Sequence, residues 1–224
     1  MTVLILGHSF IRRLRDFVLD NSHGNLTDHS DHTSWSNLKL EAHTTRIIFR
    51  GFGGLTITKA FKELTFLSQL QPDVVFIQLG ENDVDKHGSC PIQIADNLLK
   101  LVGAIFKNSA KTRHVFWGQL LHRPTPRICP RDYSVKIHAI NKFIRSKATV
   151  NLHYWPHKGL WQDCHRLFSS DGVHLNSRGQ HKLARSIRGA ILRFKALTAV
   201  RSSVVVAPSK QDTRYRNCLF HNQV

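Results

Sequence analysis

Five short apolar segments alternate with five longer segments whose apolar residues recur every three or four positions, and this alternation constrains the fold more than any other feature. The short segments predict strands at Thr2–Leu6, Arg46–Phe49, Asp73–Leu79, His114–Leu120 and Val150–Trp155. The periodic segments predict helices over roughly Ser9–Leu19, Thr56–Leu70, Ile92–Phe106, Tyr133–Lys147 and Ser177–Leu197. Such a βα alternation, with buried strands, predicts an α/β protein with a parallel sheet and helices on both faces.

The length and composition fit one domain. The chain has 224 residues, of which 41% are hydrophobic, enough for one sizeable core. We therefore expect a domain over residues 1–197 and a disordered basic tail over residues 198–224. Residues 21–44 are rich in Ser, His, Asp and Asn and predict a long loop. The acidic and histidine residues of that loop, at positions 28, 29, 31 and 32, fit a solvated loop better than a metal site, so no metal is expected.

Targeting features are sparse. No apolar run approaches the roughly 20 residues of a membrane-spanning helix, and Val3–Leu6 is too short for a signal peptide. The four cysteines form no CxxC pair and predict free thiols. These features predict an intracellular protein, cytoplasmic or nuclear.

The charge is strongly positive. The chain has 32 Lys and Arg against 15 Asp and Glu, a net charge of +17. This balance favours contact with polyanions, including non-specific nucleic acid, although a solvated basic surface has the same composition. Arg123, Arg127 and Arg131 lie in a proline-stiffened loop after the fourth strand, where they could hold an anionic group of a substrate. A rigid loop without a ligand is the alternative interpretation.

Residues that could take part in catalysis or binding follow the strands. In open parallel sheets, sites form at the carboxyl ends of the strands. The first three strands end in Gly7-His8-Ser9, in Gly51–Thr56 and in Gly80-Glu81-Asn82-Asp83. Before the last helix comes Asp171-Gly172-Val173-His174. These four segments predict one site that combines serine, glycine, asparagine and an Asp/His pair.

This combination suits nucleophilic catalysis. A serine hydroxyl requires a base, and His174 can take the proton of Ser9 while Asp171 orients the imidazole. The oxyanion that forms on attack requires preorganised donors, for which the Ser9 N–H, the Gly54 N–H and the Asn82 amide are candidates. Such a reaction requires no cofactor.

These segments resemble the sequence blocks of the SGNH (GDSL-type) hydrolase family. Gly7-His8-Ser9 corresponds to its G-D-S block, Gly53-Gly54 to its oxyanion glycine, Gly80-Glu81-Asn82-Asp83 to G-x-N-D, and Asp171–His174 to D-x-x-H. The resemblance spans about residues 3–195. It implies a three-layer α/β/α, flavodoxin-like sheet of order 2-1-3-4-5 and hydrolysis of small-molecule, lipid or carbohydrate esters through an acyl-enzyme. Transfer of the acyl group to another hydroxyl, as in an acyltransferase, uses the same residues.

One position departs from the family pattern. His8 stands where the family has aspartate, which places a second imidazole beside Ser9 and is expected to alter the pH response of the site. Small basic domains of this type also resemble esterase domains encoded by animal retroelements. The alternative function is an SGNH-like module that binds nucleic acid through its basic surface, with weak or no catalysis.

Overall fold

The computed structural model describes residues 1–23, 37–161 and 164–205. Its centre is a five-stranded sheet in which every neighbouring pair of strands is parallel. The strands are β1 (Thr2–Gly7), β2 (Arg46–Gly51), β3 (Val74–Gln78), β4 (His114–Gly118) and β5 (Leu152–Trp155). They lie in the order β2-β1-β3-β4-β5, which confirms the predicted order.

Within the described residues, seven α-helices connect or follow the strands. They are α1 (Ser9–His23), α2 (Ile57–Lys62), α3 (Leu67–Leu70), α4 (Glu81–Val84), α5 (Pro91–Asn108), α6 (Pro130–Ser146) and α7 (Ser177–Val205). Two 3₁₀ segments, Glu63–Phe66 and Cys164–Leu167, complete the described elements. None of the helices in the described part of the chain combines the length and the apolar character that crossing a membrane requires.

The helices form two layers around the sheet. Alternate residues of a strand point to opposite faces, so that Leu4 and Leu6 of β1 pack in one core with α2, α3, α5 and α6. Val3 and Ile5 pack in the other core with α1 and α7. The predicted three-layer α/β/α architecture is confirmed.

The sheet register brings the candidate residues to one edge. Strand β1 lies between β2 and β3, with Val3 opposite Ile47 on one side and Val74 on the other. Gly51, at the end of β2, allows α1 to pack closely, because a Cβ there would lie 2.1 Å from the Arg12 backbone nitrogen. The start of α1 therefore sits directly against the ends of β1 and β2.

The single helix predicted over Thr56–Leu70 is wrong in detail. The segment divides into α2, a 3₁₀ turn and α3. Residues three apart eclipse each other in a 3₁₀ helix, and this geometry keeps Leu64 and Leu67 buried. Phe61 of the same segment is 37% exposed.

Two further predictions concern segments that the structure describes only in part. Helix α7 continues to Val205, beyond residue 197, where the tail was predicted to begin. The remainder of that tail, and the acidic and histidine residues of the first loop, lie outside the described residues.

Candidate active site

The carboxyl edge of the sheet carries an open cleft of about 590 Å³. Ser9, Gly54, Asn82, Asp171 and His174, all predicted as site residues, line this cleft. They come from four segments: the start of α1, the loop after β2, the short helix α4 and the loop before α7, which carries both Asp171 and His174. Ser9 and His174, which are 165 positions apart in the chain, thus lie in one cleft.

His174 and Asp171 form a pair on the loop before α7. His174 Nδ1 lies 2.7 Å from Asp171 Oδ2. Asp171 Oδ1 accepts the backbone N–H groups of Val173 and His174, both at 2.9 Å. Burial opposes ionisation, but the hydrogen bonds from His174 and Val173 together outweigh it and hold the pKa of Asp171 well below its usual range. Asp171 is therefore an ionised carboxylate that orients the imidazole.

The loop that carries this pair is fixed by its neighbours. Gly172 adopts a left-handed conformation with φ of 61°, and a Cβ there would lie 2.1 Å from Thr125 Oγ1. The Gly172 carbonyl accepts the Thr125 N–H at 3.1 Å. The Asn176 side chain donates to the carbonyl oxygens of Arg166 and Phe168, each at 3.0 Å. These contacts explain how an exposed loop can hold an imidazole in one place.

Ser9 is the first residue of α1 and is only 5% exposed. Its Oγ lies 3.5 Å from His8 Nδ1. Within the described part of the chain, no hydrogen bond joins Ser9 Oγ to His174, although both residues line the cleft. Catalytic hydrogen bonds often tighten only when substrate binds.

His8 and Glu81 form a fully buried pair that the sequence did not indicate. His8 Nε2 donates to Glu81 Oε2 at 2.8 Å. Because the Phe10 N–H donates to His8 Nδ1 at 3.3 Å, the network assigns the proton to Nε2 and leaves Nδ1 as an acceptor facing Ser9. Burial lowers the pKa of His8, so its imidazole is neutral.

The Glu81 carboxylate ends a longer buried chain of hydrogen bonds. Gln78 Nε2 donates to Glu81 Oε1 at 2.7 Å, and His157 Nε2 lies 2.8 Å from Gln78 Oε1. His157 Nδ1 lies 2.8 Å from Ser186 Oγ on α7. Burial lowers the pKa of His157 to about 4, so this ring is neutral too. The chain connects α7 through the sheet to the residue that precedes Ser9.

Asn82 is held by its neighbours in one orientation. Its Nδ2 donates to the Leu55 carbonyl at 2.9 Å, and its Oδ1 accepts Arg123 Nη2 at 2.8 Å. The second hydrogen on Nδ2 remains available to the cleft. Arg123 also donates through Nη1 to Asp85 Oδ2 at 3.0 Å, and both side chains of this ion pair are almost fully buried.

The loop after β2 is anchored by Asp83. Both carboxylate oxygens of Asp83 accept the Ile57 N–H, at 3.2 and 3.1 Å. Burial, partly offset by this hydrogen bond, raises the pKa of Asp83 to about 6. Gly54 lies on the anchored loop with φ of 66°, and a Cβ there would meet no atom within 4 Å. Asp83 thus braces the loop that presents the Gly54 N–H.

The three arginines predicted to hold an anion have different environments. Arg123 is buried and bonded to Asn82 and Asp85, so it supports the site from within. Arg127 is exposed and lines the cleft. Arg131 lies in the first turn of α6 and is not among the residues that line the cleft.

No metal centre is found where the structure can be described. Among residues 1–23, 37–161 and 164–205, no group of three or more His, Cys, Asp or Glu side chains could hold a metal ion. Cys90 and Cys129 are exposed free thiols.

Solved structures share this fold. The psychrotrophic esterase EstA from Pseudoalteromonas sp. is 19% identical, with a TM-score of 0.59 over 87% of this chain and 98% of that chain. A carbohydrate esterase family 3 protein from Talaromyces cellulolyticus is 15% identical, with a TM-score of 0.60 over 87% and 97%. A GDSL-like lipase from Bacteroides thetaiotaomicron is 16% identical, with a TM-score of 0.61 over 86% and 88%. The fold is thus the three-layer fold of the SGNH, or GDSL-type, hydrolases.

The sequence itself identifies the family. Residues 21–182 match the profile of the GDSL-like lipase/acylhydrolase family, and the chain belongs to that family. Comparison with curated protein sequences gives no significant match. The profile match begins after the first block, so the role of Ser9 rests on its block and its place in the cleft. The narrower resemblance to retroelement esterases stays a prediction.

Proposed function

We propose that this protein is a serine esterase that hydrolyses acyl esters through an acyl-enzyme formed on Ser9. The observation that carries the proposal is the His174 Nδ1–Asp171 Oδ2 pair, 2.7 Å apart, in the same cleft as Ser9. Nδ1 is engaged by the carboxylate, which leaves Nε2 to act as the base. Family membership supports hydrolysis as the reaction.

The proposed reaction has two balanced steps. Ser9 Oγ attacks the acyl carbon while its proton passes to His174 Nε2, and His174⁺ then protonates the departing alkoxide. Water next gives a proton to His174 as its oxygen attacks the acyl carbon. His174⁺ then returns the proton to Ser9 Oγ as the bond between Oγ and the acyl carbon breaks and the carboxylic acid leaves. If another alcohol replaces water, the same residues transfer the acyl group.

The oxyanion of each step is proposed to lie among three donors. The Ser9 N–H is one of the first N–H groups of α1, which have no partner within the helix. Gly54 and Asn82 line the same cleft, and the Gly54 N–H and the second hydrogen of Asn82 Nδ2 are the other two proposed donors. The donors belong to the protein, so the proposed reaction requires no cofactor or metal.

An alkylphosphonate probe tests the proposal. It should label the wild-type protein and not Ser9→Ala, while Ser146→Ala, which removes an exposed serine at the end of α6, should be labelled fully. The EstA structure is of an enzyme inhibited by monoethylphosphonate. Equal labelling of Ser9→Ala, or no labelling of folded wild-type protein, would reject Ser9 as the nucleophile.

The class of ester that the protein hydrolyses can be measured directly. A panel of short- and long-chain acyl esters, acetylated sugars and lysophospholipids should include substrates that the wild type hydrolyses and Ser9→Ala does not. The comparisons give no support to the alternative of a nucleic-acid-binding module.

A further inference from the structure

Four exposed basic side chains surround the cleft that holds Ser9. Arg12 lies on α1, Lys59 on α2, Lys86 after α4 and Arg127 after β4, and we call these four residues the cationic rim. They come from four separate segments of the chain, so no single helix face accounts for the cluster. Convergence of like charges from several segments gives the cleft a positive potential.

The acidic residues of the cleft do not neutralise this rim. The Asp85 carboxylate accepts hydrogen bonds from Arg123 Nη1 at 3.0 Å and from the Arg127 backbone N–H at 2.6 Å. Asp171 is hydrogen-bonded to His174 and keeps its negative charge, but the four rim cations and Arg123 outnumber the two carboxylates of the cleft. In the described part of the chain, no hydrogen bond or ion pair involves the side-chain nitrogens of the rim, and Lys86 acts on the buried Asp83 through its charge alone.

The rim lies on both sides of the proposed reaction centre. Arg12 follows Ser9 by three residues on α1, and its Cζ and Nε lie 3.9 Å from where a Cβ on Gly53 would be. This contact places the guanidinium beside the loop that carries Gly54. Arg127 and Lys86 flank Asp85, on the side of the cleft that carries Asn82. A substrate bound at Ser9 would therefore lie between rim side chains on both sides of the cleft, none of which is paired with an acidic residue among those that the structure describes.

We propose that the cationic rim makes this site selective for acyl esters that carry a negative charge, such as a phosphate or carboxylate group, close to the ester bond. This inference rests on the proposed esterase function. Arg12 and Arg127 would bind the oxygens of such a group through their guanidinium forks, and Lys59 and Lys86 would add point charges. Because the rim is exposed to solvent, its effect should weaken as salt is added.

Three acetate esters of similar shape separate charge from size: phenyl acetate, 4-acetoxybenzoate and 4-acetoxyphenyltrimethylammonium. Each kcat/KM is divided by the rate constant of that ester with hydroxide, which removes differences in leaving-group reactivity. We expect the anionic ester to exceed the neutral one by about tenfold at low salt and the cationic one by more. The preference should shrink severalfold in about 0.5 M NaCl.

Two variants that lose the same net charge test which basic residues cause the preference for the anionic ester. Arg12→Gln, Lys59→Gln, Lys86→Gln and Arg127→Gln together should bring the anionic-to-neutral ratio close to one. The control carries four substitutions elsewhere on the exposed surface, Lys142→Gln, Lys158→Gln, Lys182→Gln and Arg185→Gln, which remove the same net charge. Three of its residues line a separate cleft beside Trp155. The control should keep the wild-type ratio.

The outcomes separate this inference from the proposed function. Hydrolysis of all three esters at equal normalised rates would overturn the selectivity and leave the esterase proposal intact. An equal loss of preference in both variants would assign it to net charge and overturn the role of the rim. Hydrolysis of none of these esters, together with no labelling by the phosphonate probe, would reject the esterase function itself.

Discussion

His8 Nε2 donates to Glu81 Oε2 at 2.8 Å, and both side chains are completely buried. The same carboxylate accepts Gln78 Nε2 at 2.7 Å and the Leu121 N–H at 3.2 Å. Three buried donors therefore converge on Glu81. His8 stands where the family pattern has aspartate, and its imidazole is held by the Glu81 carboxylate at the start of α4.

Replacement of Glu81 with alanine should destabilise the fold strongly. The substitution leaves three donors buried without their acceptor, and loss of one partner from a buried polar pair costs about 3–5 kcal/mol. The free energy of unfolding in urea measures the effect. Glu41→Ala, at an exposed position, should change it by less than about 0.5 kcal/mol. A loss below about 1 kcal/mol in Glu81→Ala would show that the pair does not hold this edge of the sheet.

The buried histidines should make stability fall in mild acid. Burial lowers the pKa of His157 to about 4 and also lowers that of His8. In the unfolded chain both rings titrate near 6.5, so below that pH the unfolded state binds more protons than the folded state. The stability that these two rings contribute is therefore fully present above about pH 6.5 and is lost as the pH falls, by about 3 kcal/mol for His157 alone by pH 4. Asp83, whose pKa burial raises to about 6, acts in the opposite direction over the same range, so the comparison with a His157 variant is what isolates the contribution of the ring.

Urea unfolding from pH 7.5 to 4.5 measures this dependence, and His157→Gln isolates one ring. Glutamine can still donate to Gln78 but does not titrate, so the variant should show a shallower loss of stability with acid. His153, whose pKa burial also lowers to about 4, continues to titrate in both proteins. Parallel curves for wild type and His157→Gln would mean that His157 does not contribute to the acid sensitivity.

Asn82 and Arg123 should act as one unit in catalysis. Asn82→Ala removes a proposed oxyanion donor, which typically lowers kcat by about 10²–10³-fold. Arg123→Ala removes the group that holds Asn82 Oδ1, so it should lower kcat through Asn82. In the double variant the two losses should not multiply, and kcat should match that of Asn82→Ala within about threefold. Fully multiplicative losses would show that Arg123 acts independently of Asn82.

The sheet could be predicted from sequence because its inner strands β1 and β3 are buried on both faces and appear as uninterrupted apolar runs. Segments such as Val74–Gln78 have no polar residue until the strand ends, and the next residues then lie at the carboxyl edge. The same reasoning located Ser9 and Asn82, because each directly follows a strand of this kind. His174 follows no strand, and its place three residues after Asp171 and just before the last helix indicated it instead.

The remaining features depend on contacts that no local pattern encodes. His8 and Glu81 are 73 residues apart, and neither shows in the sequence that it is buried. Arg123 looks like the exposed arginines of its loop until the structure pairs it with Asp85. Arg12 and Lys59 occupy ordinary solvated helix positions, and only the meeting of their helices places them beside one cleft.

Asp171→Asn should impair the reaction far more than its exposed position indicates. The asparagine Oδ1 can keep the hydrogen bonds from the Val173 and His174 N–H groups, so the loop should stay folded. Its Nδ2 would then donate to His174 Nδ1, which favours the tautomer with a proton on Nε2 and removes the base facing Ser9. The corresponding change in serine proteases lowers kcat by about 10⁴-fold. Here we expect kcat for the best ester of the panel to fall by at least about 10²-fold. The free energy of unfolding in urea should stay within about 1 kcal/mol of the wild-type value. Near wild-type kcat in Asp171→Asn would show that the 2.7 Å contact with His174 is structural and that the proposed base works without it.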